Sequence, residues 1–99
     1  MKTITLGGSV RFKDEFMYYS KKFSLQGNLV LMPNVWSHIK DGHPIKEMLQ
    51  LVQYGRIVMS DEYFCINRDY YIGNSTMHEI EFADMIGVKV RYALNRRKK

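Results

Sequence analysis

A short glycine-rich stretch near the start of the chain could hold an anionic ligand. It comprises Gly7, Gly8 and Ser9, with Arg11 two residues later. Glycines let a backbone approach a ligand closely, and the amides that open a following helix favour an anion. Ser9 could donate to a phosphate or sugar oxygen, and Arg11 would add positive charge. A tight turn with a surface arginine explains the same residues, and the motif alone does not decide between the two interpretations.

A second polar stretch opens a predicted helix and contains Ser75, Thr76 and Glu79. Thr76 and Glu79 have the spacing of a capping box, in which the glutamate only satisfies a backbone amide. Spacing alone favours that structural interpretation. In the alternative, Glu79 points toward the glycine-serine loop and acts as an anionic nucleophile or base.

Two further polar residues flank a predicted strand over residues 63–66. Asp61, just before it, is either a solvated residue at a helix end or a second carboxylate that works with Glu79 at a sugar carbon. Asn67, just after it, is either a turn residue or a donor and acceptor for a ligand.

Aromatic residues also fall in the predicted loops. Trp36, Tyr70 and Tyr71 could stack on a nucleobase, although loop aromatics more often pack over the end of a core. The histidines share no metal-ligand spacing with a cysteine or an acidic cluster, so we predict no metal site and no cofactor. Cys65 lies within a predicted strand, where a thiol is typically an inert core group.

Alternating strands and helices would position these residues. Apolar or β-branched runs predict strands over residues 3–6, 29–32, 63–66 and 88–92, and apolar residues at helical spacing predict three helices between them. Right-handed crossovers would then give a four-stranded parallel sheet with helices on both faces. This is a flavodoxin-like or Rossmann-like three-layer α/β sandwich, with a strand order of about 2-1-3-4. Its ligands bind at the carboxyl edge of the sheet.

The second predicted helix begins at Pro44, which suits a first helical turn. Helical spacing predicts that it buries an apolar stripe. The members of that stripe are Ile45, Met48, Leu49, Val52 and Met59.

The length of 99 residues indicates one domain, over residues 1–95, followed by a basic tail over residues 96–99. Four of the five net positive charges lie in the tail, which we expect to be solvated and disordered. The tail could contact a polyanion, but the nearly neutral remainder does not favour nucleic acid as a partner.

The composition also bears on location. No apolar run is long enough to span a membrane, and the start of the chain lacks the features of a signal peptide. The single cysteine fits a reducing compartment. We therefore expect a cytoplasmic protein with no membrane partner.

Three motifs occur together in one order: the stretch 6–12 around the glycine-serine loop, the stretch 61–67 around the third strand, and the stretch 71–83 around Glu79. With this order and spacing, the chain from Thr3 to Tyr92 resembles the nucleoside 2-deoxyribosyltransferase-like superfamily, especially its short bacterial and phage members. That superfamily also includes 2′-deoxynucleoside 5′-phosphate N-hydrolases.

The resemblance implies cleavage or transfer of the N-glycosidic bond of (deoxy)nucleosides or their monophosphates. The nucleophilic glutamate of the family corresponds to Glu79, and its second acid to Asp61, which would help protonate the departing base. The implied substrate-binding residues are Gly7, Gly8, Ser9, Arg11, Asn67, Gly73, Ser75 and Thr76. A homo-oligomer, a dimer or larger, is also implied.

The chain departs from the family pattern in three respects. Ser60 replaces the alanine usual before the aspartate, and Val58 stands where short relatives often carry an acid. The sheet also has four predicted strands where the full transferases have five. A second hypothesis therefore stays open: a non-catalytic module, encoded for instance by a phage, that binds a nucleotide or captures a nucleotide-derived signal.

Overall fold

Four parallel strands form the centre of the structure, a computed structural model that describes residues 1–34 and 43–95. The sheet order is β2-β1-β3-β4, so the predicted α/β class, parallel sheet and strand order are confirmed. The expectations for Trp36 and for the basic tail fall outside the described residues. The strands are β1 (Thr3–Gly8), β2 (Leu29–Leu31), β3 (Glu62–Ile66) and β4 (Lys89–Tyr92).

In the described part of the chain, three helices cover the two faces of this sheet. They are α1 (Lys13–Leu25), α2 (Pro44–Val58) and α3 (Asn74–Ile86), and short 3-10 turns occupy Val10–Phe12 and Arg68–Tyr70. The helix α1 packs on one face, whereas α2 and α3 pack side by side on the other. No helix in the described ranges combines the length and apolar character needed to cross a membrane.

The central strand β3 contributes to both cores because successive side chains of a strand point to opposite faces. Phe64 and Ile66 join the core under α1, whereas Tyr63 and Cys65 join the core under α2 and α3. All five residues of β3 are buried, as is typical of a strand between two helical layers.

The helix α2 presents a different face to the core from the one predicted. Its buried residues are Gln53 and Ile57, whereas Met48 and Val52 of the predicted stripe are 54% and 44% exposed. Gln53 faces inward because its amide donates to the carbonyl oxygen of Leu6 at 3.1 Å and to a buried carboxylate. Polar partners in the core, together with the burial of Ile57, therefore set the rotation of this helix.

A buried ion-pair cluster ties three strands together at the amino edge of the sheet. Glu62, which is 3% exposed, pairs with Lys2 at 3.0 Å and with Arg91. Burial acts to raise the pKa of Glu62, but the hydrogen bond from Lys2 and the charge of Arg91 outweigh it and lower the pKa below its ordinary value.

Gly7 makes room for the side chain of Tyr63. A Cβ atom at Gly7 would overlap the hydroxyl group and ring of Tyr63, which lie directly over the β1 backbone. The next residue, Gly8, has a φ of 143° and would place a Cβ atom 2.6 Å from the carbonyl oxygen of Ile66. Both glycines are therefore required by close packing between β1 and β3.

Replacing Gly7 by alanine should destabilise the fold. The added methyl group must displace the Tyr63 side chain, and overpacking of a rigid core costs about 1–3 kcal/mol. Gly55→Ala is the matched control, because a Cβ atom there meets nothing within 4 Å and alanine favours a helix by about 1 kcal/mol. Urea unfolding followed by circular dichroism measures both. Equal effects of the two substitutions would contradict the placement of Tyr63.

Candidate functional site

A cleft of about 350 Å³ opens at the carboxyl edge of the sheet, between the end of β1 and the start of α3. Small-molecule sites begin at about this size. Val10, Tyr71 and Asn74 form part of its described lining. The structure also brings together here five residues predicted to bind substrate: Gly8, Ser9, Gly73, Ser75 and Thr76.

The amino end of α3 meets this cleft with its backbone amides. The N-cap residue is Gly73, which has no side chain to bond the first amides, and the first turn carries no acidic residue. The positive end of a helix dipole with free amides favours an anion such as a phosphate. This edge of the cleft is therefore suited to a negatively charged ligand group.

The structure contradicts the capping-box interpretation of Thr76 and Glu79. Because α3 begins at Asn74, Thr76 is the third residue of the helix, and it is buried in the wall of the cleft. Glu79 lies one turn further along, and side chains three apart on a helix have Cβ atoms about 5–6 Å apart. Glu79 is therefore a neighbour of Thr76 but is not part of the described lining of the cleft, and its carboxylate bonds Tyr63 and α2 rather than its own helix end.

The Glu79 carboxylate is held by three neutral donors. One oxygen accepts a hydrogen bond from the Tyr63 hydroxyl at 2.7 Å and another from the Gln53 amide at 3.3 Å. The second oxygen accepts from the Gln50 amide at 3.1 Å. The residue is 8% exposed. A phenol and two amides thus compensate much of the cost of burying this charge.

Burial dominates the electrostatics around Glu79. Desolvation raises the pKa of Glu79 above its ordinary value, although its three hydrogen bonds and the charge of Arg56 act in the opposite direction. Burial also raises the pKa of Tyr63 well above its ordinary value, and the charge of Glu79 raises it further. The same two causes raise the pKa of Cys65 to about 12, so its thiol is not ionised near neutral pH.

Sequence reasoning missed the three donors to Glu79. Tyr63 was assigned only to a strand, and Gln50 and Gln53 lay outside the predicted apolar stripe of α2. The signal that could have found the glutamines is their spacing: Gln50, Gln53 and Arg56 follow one another every three residues along one side of the helix. A polar stripe of this kind on an otherwise apolar helix indicates polar partners inside the protein.

Two predicted ligand residues lie beside the cleft rather than in its described lining. Gly7 is buried in β1 under Tyr63. Arg11 is exposed, donates to the Ser9 hydroxyl at 3.2 Å and lies 4.1 Å from the centre of the Tyr71 ring. The guanidinium is thus held next to two residues that line the cleft.

The structure does not bring Asp61 to this site. Its carboxylate accepts a hydrogen bond from the Thr3 amide at 2.8 Å, at the amino edge of the sheet. Thr3 and Gly7 are four positions apart along β1, a span of about 13 Å at the rise of a strand, whereas paired catalytic carboxylates lie about 5–10 Å apart. The prediction that Asp61 works with Glu79 is therefore corrected: the start and the end of β3 lie at opposite edges.

Asn67 has a structural role in place of the predicted ligand contact. Its side-chain amide donates to the Leu94 carbonyl oxygen at 3.0 Å, and its side-chain oxygen accepts from the Leu94 amide at 2.8 Å. Asn67 is 4% exposed. It therefore extends the connection between β3 and β4 beyond their last paired residues.

Neither protein-family models nor curated proteins match the sequence. A function for the chain is therefore inferred from the geometry of the cleft and from the motifs described above.

Glu79→Gln should remove a pH dependence of stability. The raised pKa means that the folded state holds the Glu79 proton more tightly than the unfolded chain, whose carboxyl has a pKa near 4.5. The free energy of unfolding of the wild type, relative to the variant, should therefore fall as the pH rises from below 4.5 through the raised pKa, and then level off. Urea unfolding of both proteins across this pH range measures the difference.

Glu81→Gln, an exposed position on the same helix, is the control and should show no such pH-dependent difference. A difference between wild type and Glu79→Gln that stays constant with pH would contradict the raised pKa.

Proposed function

We propose that this protein cleaves the N-glycosidic bond of a (deoxy)nucleoside or nucleoside monophosphate, with Glu79 as the nucleophile. One observation carries the proposal: a buried carboxylate, held by neutral donors, lies one helical turn from Thr76, which lines a cleft suited to an anionic small molecule. The donors are two amides and a phenol, so they place no opposite charge against the attacking carboxylate, as an ion pair would.

The reaction would proceed in two displacements at C1′. A Glu79 oxygen forms a bond to C1′ as the C1′–N bond breaks, and that electron pair leaves with the base. Water, or a nitrogen of another base, then attacks C1′ and returns the electron pair of the ester bond to the carboxylate. The first outcome is hydrolysis and the second is transfer, and both retain the configuration at C1′.

The cleft offers contacts for the rest of the substrate. The free amides at the start of α3, together with the Ser9 and Ser75 hydroxyls, would bind a 5′-phosphate or sugar oxygens. Arg11, held beside Ser9 and Tyr71, would add positive charge at the mouth of the cleft. The described lining carries no carboxyl group, so we assign protonation of the departing base to water and not to Asp61.

A specific observation favours a second function, the non-catalytic binding of a nucleotide. Both Glu79 oxygens already accept hydrogen bonds, and the second carboxylate expected from the family lies at the opposite edge of the sheet. In that case Glu79 would serve only to fasten α2 and α3 to the sheet, and the cleft would capture its ligand without cleaving it.

Incubation with a panel of nucleosides and nucleoside monophosphates tests the first proposal, with the free base measured by chromatography. The wild type should release base from at least one of them. Glu79→Gln should lower the rate by about three orders of magnitude or more, because it removes the group that attacks C1′. Glu81→Gln is the matched control on the same helix and should keep the full rate.

The two functions give opposite results in one pair of measurements. Saturable binding by calorimetry with no release of base, and with affinity unchanged by Glu79→Gln, would overturn catalysis and support the binding module.

Asp61→Asn should leave the rate of base release within about twofold of the wild type. The asparagine side chain can still accept the hydrogen bond from Thr3, and the residue lies at the opposite edge of the sheet from the cleft. Steady-state kinetics on the best substrate of the panel measure this. A large loss of rate in a folded Asp61→Asn protein would mean that Asp61 takes part in the chemistry after all.

A further inference from the structure

The outward face of α2 is apolar along most of its length. From residue 48 to the C-cap residue 59, every exposed position is a non-polar side chain or glycine. The apolar side chains are 44–74% exposed and follow helical spacing, with Gly55 between them. We call this surface the α2 stripe, and its members are Met48, Leu51, Val52, Gly55, Val58 and Met59.

The inner face of α2 thus holds polar side chains beside the buried Ile57, whereas its outer face is apolar. Gln50 and Gln53 point inward to Glu79, and Arg56 donates to the side chains of Gln53 and Asn34. A helix on the surface of a soluble protein normally buries its apolar side and exposes its polar side. Because the carboxylate of Glu79 requires polar partners inside, the apolar side of α2 is left outside.

We propose that the α2 stripe is the interface between two copies of this chain, paired antiparallel about a two-fold axis. None of the six residues of the α2 stripe is charged, so the stripe can meet an identical stripe without like-charge repulsion. A two-fold interface requires such a self-complementary surface. The antiparallel arrangement also sets the positive end of each helix dipole beside the negative end of the other.

Gly55 is a second observation that points to a partner helix. A Cβ atom at this position would meet nothing within 4 Å inside the subunit, so packing within one copy gives no reason for glycine. Glycine also disfavours the interior of a helix. At the centre of the stripe, it allows two helix axes to approach closely.

The area of the α2 stripe suits a weak dimer. With 44–74% of each large side chain exposed, the stripe offers on the order of 500 Å² per copy, or on the order of 1,000 Å² for the pair, which is near the lower limit of specific interfaces. We therefore expect a dimer that dissociates on dilution through the micromolar range.

Sedimentation equilibrium of the full chain, over a series of concentrations in the micromolar range, tests this interface. The wild type should dimerise, and Leu51→Glu, which places a charge in the stripe, should weaken the dimer by about tenfold or more. Leu25→Glu is the matched control, because Leu25 is 78% exposed on α1 at the other face of the sheet. It should dimerise like the wild type.

Val58→Glu gives a second disruption should Leu51→Glu fail to fold by circular dichroism. A wild type that stays monomeric at every concentration would overturn the proposal. So would a dimer that neither stripe variant weakens, or a monomeric chain that floats with anionic phospholipid vesicles, which would make the stripe a lipid-binding face.

Discussion

The hydrogen bond from Tyr63 to Glu79, across Gly7, is the contact on which the rest of the structure depends. A carboxylate buried without partners would cost several kcal/mol, so its donors have to be supplied by the elements around it. One comes from the central strand, and two come from Gln50 and Gln53 of α2. The phenol reaches the carboxylate only because β1 has no side chain at residue 7. One charge on α3 thus fixes the position of α2 and the packing of β1 against β3.

This arrangement has a consequence on each side of α2. On the inner side, Glu79 is bonded by neutral donors and has no ion pair to any described residue, one helical turn from a cleft wall that contains the first residues of α3. On the outer side, the apolar residues of α2 that do not enter the core with Ile57 form the α2 stripe. The candidate site and the candidate interface are therefore two results of the same inward-facing glutamines.

The sequence was sufficient to predict the sheet but not the polar core beneath it. Apolar runs and helical spacing are properties of local segments, and together with right-handed crossovers they led to the correct order of the strands. The face of α2 was wrong because hydrophobic periodicity assumes that apolar residues turn inward. Gln53 turns inward instead, toward a carboxylate that lies 26 residues away along the chain.

The predicted site residues show the same contrast between what the parallel topology determines and what local spacing leaves open. Ser9, Gly73, Ser75 and Thr76 line one cleft, as expected, because they follow the carboxyl end of β1 or open α3, and the parallel topology brings those segments to one edge. The capping box failed because its spacing is also satisfied when the helix begins two residues before Thr76. Asp61 failed for a topological reason, since a residue that precedes a parallel strand lies at the opposite edge from the cleft.

The most direct test of the account is to trap the bond that Glu79 is proposed to form. A nucleoside fluorinated at C2′ slows both displacements by withdrawing electrons from C1′, and a good leaving base lets the first one proceed. Intact-protein mass spectrometry should then show the mass of one fluorinated sugar added to the chain, and peptide mapping should place it on Glu79. A ligand that binds in the cleft but leaves the mass unchanged, or a sugar attached to a different residue, would contradict the account.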